Sequence, residues 1–199
     1  AGDATLELIQ TLAQEKVNAP GIATQNPAGM DLTRWREMGI KPDFASKQLQ
    51  ICDAYQRLGI KPTCTCTPYL SGNCPLRNET VGFSESSAVA YVNSVIGART
   101  NRHGGLDALS AALVGKVPLM GYLLDENRQG NVLIDVKASL QNNADYAALG
   151  YHVGKILNHQ EIPVYKGLHH ATKDQLKILG AASAASGSVP LFHVMRLTP

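Results

Sequence analysis

Charge is scarce in this sequence. Only 17% of its 199 residues are Asp, Glu, Lys or Arg, and the formal net charge is +2. A nucleic-acid footprint would show Lys and Arg gathered on one element. Here the basic residues are scattered except around Arg99, so no nucleic-acid partner is expected. Aromatic residues are also few, at 6%, yet 44% of the chain is hydrophobic, enough to bury a proper core and to argue against disorder. No apolar run approaches the ~20 residues that a membrane span requires, which leaves no membrane partner to expect. No charged start followed by an apolar run opens the chain, so no secretory leader is expected. The four cysteines, Cys52, Cys64, Cys66 and Cys74, are too few for a disulfide scaffold. A reducing cytoplasm is the expected location. Internal repeats and low-complexity tracts are missing as well.

What is present alternates between two periods. Leu6, Leu8, Ile9 and Leu12 recur at helical spacing after Asp3, a possible N-cap. A Pro- and Gly-rich loop from Ala19 to Met30 follows, then a helix from Asp43 to Leu58 whose apolar face carries Phe44, Leu49, Cys52 and Tyr55. Ile60 to Thr67 reads as extended between Pro62 and Pro68. Ser84 caps a helix from Glu85 to Gly97, and Leu106 to Leu113 forms the next, closed by Gly115. Strands are expected at Val132 to Val136, Ile162 to Val164 and Val189 to His193, with helices from Asp145 to Leu157 and from Thr172 to Ala185. Thr172 and Gln175 have the spacing of a capping box. Short apolar strands between helices define a layered α/β fold, as one large domain or a tightly packed pair.

Two polar stretches carry the chemistry. In Thr63-Cys64-Thr65-Cys66-Thr67-Pro68, a Cys-x-Cys pair on extended chain points both sulfurs to one side, toward one soft metal. The competing reading is a pair of buried cysteines acting as small apolar residues. Cys74 is a weaker ligand candidate, and Cys52 is expected to pack on its helix. The second stretch is a polar run that packing does not explain: Glu85-Ser86-Ser87, Asn93, and Arg99-Thr100-Asn101-Arg102 before Gly104-Gly105. Hydroxyls and free N–H groups at a helix start attract anions, and arginines fork onto carboxylate or phosphate oxygens. An ordinary N-cap and a solvated loop are the alternatives. Asp125-Glu126-Asn127-Arg128 offers an acid, an amide and a guanidinium in one turn, or simply an exposed turn. His169 and His170 are expected at the surface. His193, within an apolar strand, is expected to be a hydrogen-bonded core histidine.

These residues resemble the aconitase X family of aconitase-superfamily hydro-lyases. The resemblance is carried by TCTCTPYL (Thr63 to Leu70), ESSAVAYVNSVIGARTNR (Glu85 to Arg102) and LDENR (Leu124 to Arg128). NPAGMDL (Asn26 to Leu32), LGY (Leu149 to Tyr151) and the final FHV…TP (Phe192 to Pro199) support it. The resemblance implies an aconitase-like layered α/β/α fold, here incomplete. The chain would be the central portion of a longer catalytic large subunit, without its start, its C-terminal part or the smaller swivelling domain or subunit. It implies an iron or iron–sulfur cofactor held by Cys66 and Cys64, with a third ligand in a later part of the polypeptide. It also implies a substrate pocket drawing on Thr24, Asn26, Glu85, Ser86, Ser87, Arg99, Thr100, Asn101 and Arg102. The reaction that the resemblance implies is removal of water from a small hydroxy acid. Mevalonate 5-phosphate is favoured and cis-3-hydroxy-L-proline is the alternative, with the base supplied by the small domain. Ala23, Gln25, His103, Leu123 and Arg196 depart from the family pattern, Arg196 standing where glycine is usual and His103 where glutamate is. A non-catalytic metal- or anion-binding module is the reading that the departures at Ala23, His103 and Leu123 motivate.

Overall fold

A computed structural model describes residues 2–158 and 160–199. The chain divides into two compact units: one runs to Asn73 and takes in Leu109–Lys116, the other holds Cys74–Ala108 and Val117–Pro199.

The first unit is built on two helices, α1 (Asp3–Gln14) and α2 (Pro42–Arg57), and two short parallel strands, β1 (Thr24–Gln25) and β2 (Lys61–Pro62). Gly2 rather than Asp3 occupies the N-cap of α1, and Asp3 sits in its first turn, where a carboxylate suits the helix dipole. Pro42 opens α2, where its fixed φ and missing N–H cost nothing. The core joins Ile9 to Ile51, Ala54, Tyr55, Leu58 and Ile60, and receives Leu109 from α4 (Gly105–Val114). The buried stripe of α2 differs from the expected one: Phe44 and Leu49 are 46% and 40% exposed, while Ala45, Gln48 and Ile51 are buried beside Cys52 and Tyr55. Gln48 is tolerated inside because its Oε1 accepts the Gly29 N–H at 3.0 Å. The expected extended run after Ile60 is confined to β2. Cys64 adopts φ 52, a left-handed conformation that ends the strand.

The second unit centres on a parallel sheet of order β3-β4-β5: Val132–Asp135, Pro163–Lys166 and His193–Val194. Ile134 pairs with Tyr165 and Tyr165 with Val194, so one face presents these side chains to α5 (Asn143–Ile156) and α6 (Lys173–Gly187). Leu133, on the alternate face, is 61% exposed. Helices α5 and α6 approach backbone to backbone: a Cβ on Gly187 would fall 1.8 Å from the Gly154 carbonyl oxygen. The expected capping box is present, with Gln175 N–H donating to Thr172 Oγ1 at 3.2 Å. A second box, Asn142 with Asp145, starts α5 earlier than its apolar pattern indicated.

The segment before the sheet departs most from expectation. Helix α3 spans only Ser86–Tyr91 with Glu85, not Ser84, at its N-cap; the chain then widens into a π turn, Val92–Ile96, closed by Gly97 at φ 77. The expected strand from Val189 shrinks to β5, because its backbone groups bond elsewhere. Phe192 N–H donates to Ser94 Oγ at 2.9 Å, and the Pro190 carbonyl accepts from Asn93 Nδ2 at 3.0 Å. Both partners lie in the π turn. Arg196 adopts φ 65, a left-handed position that costs a non-glycine residue roughly 1 kcal/mol.

Candidate active site

In the first unit, pairing of β1 with β2 brings four of the sequence-nominated residues into one neighbourhood: Thr24, Asn26, Cys64 and Cys66. The Gln25 carbonyl accepts the Cys64 N–H at 3.2 Å, tying the thiol loop to β1. Asn26 Nδ2 donates to Cys66 Sγ at 3.4 Å, and Thr24 Oγ1 accepts from Asn73 Nδ2 at 2.9 Å. Thr65 and Thr67 brace the loop from within: their hydroxyls lie 3.0 Å apart, and Thr67 N–H donates to Thr65 Oγ1 at 3.2 Å. The left-handed Cys64 alters the simple Cys-x-Cys geometry. Its thiol meets the buried Cys52 on α2, whereas Cys66 is exposed beside Asn26. Burial, and then the neighbouring Cys64, push the Cys52 thiol up to about 11. Cys52 thus does more than pack on its helix, a contact that helix periodicity does not reveal.

The donor chemistry suits iron. Thiol sulfur is the soft ligand that iron–sulfur centres use, and an amide N–H on such a sulfur is an outer-shell contact that stabilises a bound thiolate. Among the described residues no group of three or more His, Cys, Asp or Glu side chains converges.

In the second unit, the two halves of the polar run meet. Phe83 N–H donates to Thr100 Oγ1 at 3.1 Å and His103 N–H to the Phe83 carbonyl at 3.2 Å, so the start of α3 lies beside the Arg99–Arg102 loop. Packing does explain part of this run. Asn93, 2% exposed, accepts the Thr100 N–H at 3.0 Å and donates to the Thr100 carbonyl at 2.9 Å. Thr100 is fully buried. Asn101 is held by the Met120 carbonyl at 2.9 Å and the Tyr122 N–H at 2.8 Å, and a Cβ on the left-handed Gly121 would come within 2.3 Å of its Oδ1. Arg99 reaches the Leu123 carbonyl at 2.8 Å and pairs with the Asp125 carboxylate. Its side chain is 20% exposed, that of Asp125 85%. Arg102 is exposed, and Glu85, Ser86 and Ser87 are half-buried around the first residues of α3.

Arg128 is the residue whose place sequence reasoning missed. Its guanidinium donates to Tyr122 O at 2.9 Å, Asn93 Oδ1 at 3.1 Å, Asn93 O at 3.0 Å and Ala98 O at 3.2 Å. Burial, with the Arg99 charge nearby, lowers its pKa. His193 Nε2 lies 2.8 Å from the Arg128 carbonyl, so it is hydrogen-bonded as expected but half-buried rather than part of the core, and His169 and His170 are exposed. His103 Nε2 is buried and has no hydrogen-bond partner among the described residues.

Profiles of two domains cover the chain: the aconitase X first domain matches residues 1–126 and the aconitase X second domain residues 130–199. The chain belongs to the aconitase X family. It is 51% identical over 198 residues to the phosphomevalonate dehydratase large subunit of Methanothermobacter thermautotrophicus, a match covering 100% of this chain and 49% of that protein. To the cis-3-hydroxy-L-proline dehydratase of Pseudomonas aeruginosa it is 38% identical over 201 residues, covering 100% of this chain and 34% of that one. The crystal structure of Thermococcus kodakaraensis aconitase X in its holo-form matches with a TM-score of 0.89 at 43% identity, over 100% of this chain and 49% of that one. The chain thus spans about half the length of the phosphomevalonate dehydratase subunits it matches. The mixed α/β architecture is that of aconitase X.

Proposed function

We propose that this chain is the iron- and substrate-holding portion of a dehydratase large subunit that removes water from mevalonate 5-phosphate together with a small partner subunit. The observation that carries this reading is the higher identity to the Methanothermobacter subunit than to the Pseudomonas hydroxyproline dehydratase, with the whole chain matched in both.

Cys66 and Cys64 are the iron ligands of this reading, completed by a ligand from outside the chain. Iron bound there supplies Lewis acidity toward a departing hydroxyl. Asn26 steadies the Cys66 sulfur through its amide N–H. Thr24 stands on β1, two residues before Asn26. Arg102, exposed at the loop, takes an anionic group of the substrate, and Arg99 joins it when the exposed Asp125 carboxylate yields its place. Ser86 and Ser87 donate hydroxyl hydrogen bonds beside that loop, and Glu85 accepts one from a substrate hydroxyl. Thr100 and Asn101 hold the loop's shape through their internal hydrogen bonds rather than by touching substrate with their side chains. The base that takes the neighbouring proton belongs to the small partner.

The test is an assay of the full-length large subunit with its small partner on both substrates. Turnover of mevalonate 5-phosphate is expected. Turnover of cis-3-hydroxy-L-proline alone moves the assignment to that dehydratase, and turnover of neither leaves a non-catalytic binding module.

A further inference from the structure

We infer that Arg128 is a positioning residue for substrate binding, its guanidinium clamping the Arg99–Arg102 loop from both ends. The inference rests on the dehydratase reading, which places the substrate anion at that loop.

The geometry is specific. Ala98, whose carbonyl accepts from Arg128 Nη2, immediately precedes the loop. Asn93 Oδ1 receives Arg128 Nη1 and the Thr100 N–H together, so the arginine fixes the carboxamide that fixes the loop's second residue. On the far side, the Tyr122 carbonyl accepts from Nη1 while the Tyr122 N–H holds Asn101 Oδ1. One planar group therefore spans the π turn before the loop and the turn that grips Asn101. The backbone of Arg128 is itself held through its carbonyl by His193. A guanidinium can serve four acceptors in one plane, whereas a lysine ammonium is a point donor on a flexible stem. Arg128 bonds to Asn93, Ala98 and Tyr122 rather than to a carboxylate among the described residues, and with Arg99 and the Asp125 carboxylate both acting on it, the three side chains leave one positive charge in excess. That net positive potential favours an anion.

The experiment compares Arg128→Lys and Arg128→Gln in the full-length large subunit with its small partner. A Thr172→Ala control loses the α6 cap, whose hydrogen bonds are to Gln175 and not to the loop. For either Arg128 variant, KM for mevalonate 5-phosphate is expected to rise about tenfold, the factor that one lost hydrogen bond to a charged group corresponds to. The kcat is expected to stay within about threefold, since the chemistry belongs to other groups, and iron content is expected to be unchanged. The Thr172→Ala control is expected to lower Tm and leave KM alone. Wild-type turnover with KM unchanged in whichever Arg128 variant folds overturns the inference, as does an equal rise in KM in the control. If both Arg128 variants fail to fold while the wild type is active, Arg128 is a stability element and the inference is likewise overturned. Absence of wild-type turnover on either substrate rejects the dehydratase reading, and this inference falls with it.

Discussion

Replacing Asn93 by alanine tests whether the loop is held as described. The carboxamide accepts from the Thr100 N–H and Arg128 Nη1, and donates to the Thr100 and Pro190 carbonyls, at 2.9 to 3.1 Å. Arg128 keeps its other acceptors in the variant, so its loss is partial. The Thr100 N–H and the two carbonyls are stranded in an interior where Thr100 is fully buried. Each buried group left without a partner costs about 1–3 kcal/mol. Water entering the space vacated by the carboxamide returns part of this. The expected net loss is therefore about 3–4 kcal/mol, below the simple sum because the groups share one cavity. A subunit of about twice this length has a proportionally larger unfolding entropy, so each kcal/mol lowers Tm by about 1–2 °C and a fall on the order of 5 °C is expected in thermal unfolding of the full-length protein. Limited proteolysis should also open the chain between Arg99 and Arg102 before the rest of the unit. A loss under about 1 kcal/mol, with the loop still protected, would refute the bonding pattern on which the site is built.

Three other predictions follow from single groups. The Tyr165 hydroxyl is buried in the second core, its ring edge-on to Phe192 at 6.0 Å, with no hydrogen-bond partner among the described residues. Tyr165→Phe should therefore stabilise by about 1 kcal/mol, and calorimetry showing a loss of that size would mean the hydroxyl is partnered. Burial also raises the Tyr165 phenol above its ordinary value, so the folded state holds that proton more tightly than the unfolded chain does. This contribution is complete below pH ~10 and is lost as pH climbs above it, a dependence that denaturant titrations should show weakened in Tyr165→Phe. Cys66→Ser should lose iron while keeping the far-ultraviolet circular dichroism and Tm of the metal-free protein, because ligation and core packing are separate contributions; full iron content in the variant would remove Cys66 from the ligand set.

The extent to which the sequence disclosed this structure depended on where backbone hydrogen bonds go. Helices with regular apolar spacing and local caps, such as α6 with Thr172 and Gln175, were legible because their signals lie within one or two turns. The strand at Val189 was not, since Pro190 and Phe192 bond to Asn93 and Ser94, about a hundred residues earlier in the chain. Gln48 misled the reading of α2 for a similar reason: a polar side chain can be buried when a distant N–H, here that of Gly29, satisfies it. At the candidate site, pairing of β1 with β2 draws Asn26 to Cys66, a contact between residues forty apart that local spacing does not give. Individual roles were harder to read. Asn93 and Thr100 looked like ligand-binding groups and are spent on internal bonds, while Arg128, at the end of an exposed-looking turn, holds the loop. The left-handed Cys64 was hidden because a non-glycine residue in that conformation carries no local sequence mark.

The most direct measurement is metal and acid-labile sulfide analysis, with an absorption spectrum, of the full-length large subunit purified anaerobically. Iron accompanied by sulfide is the predicted result. Zinc alone, or protein without metal under those conditions, would contradict an iron-holding role for the thiol loop and with it the dehydratase account.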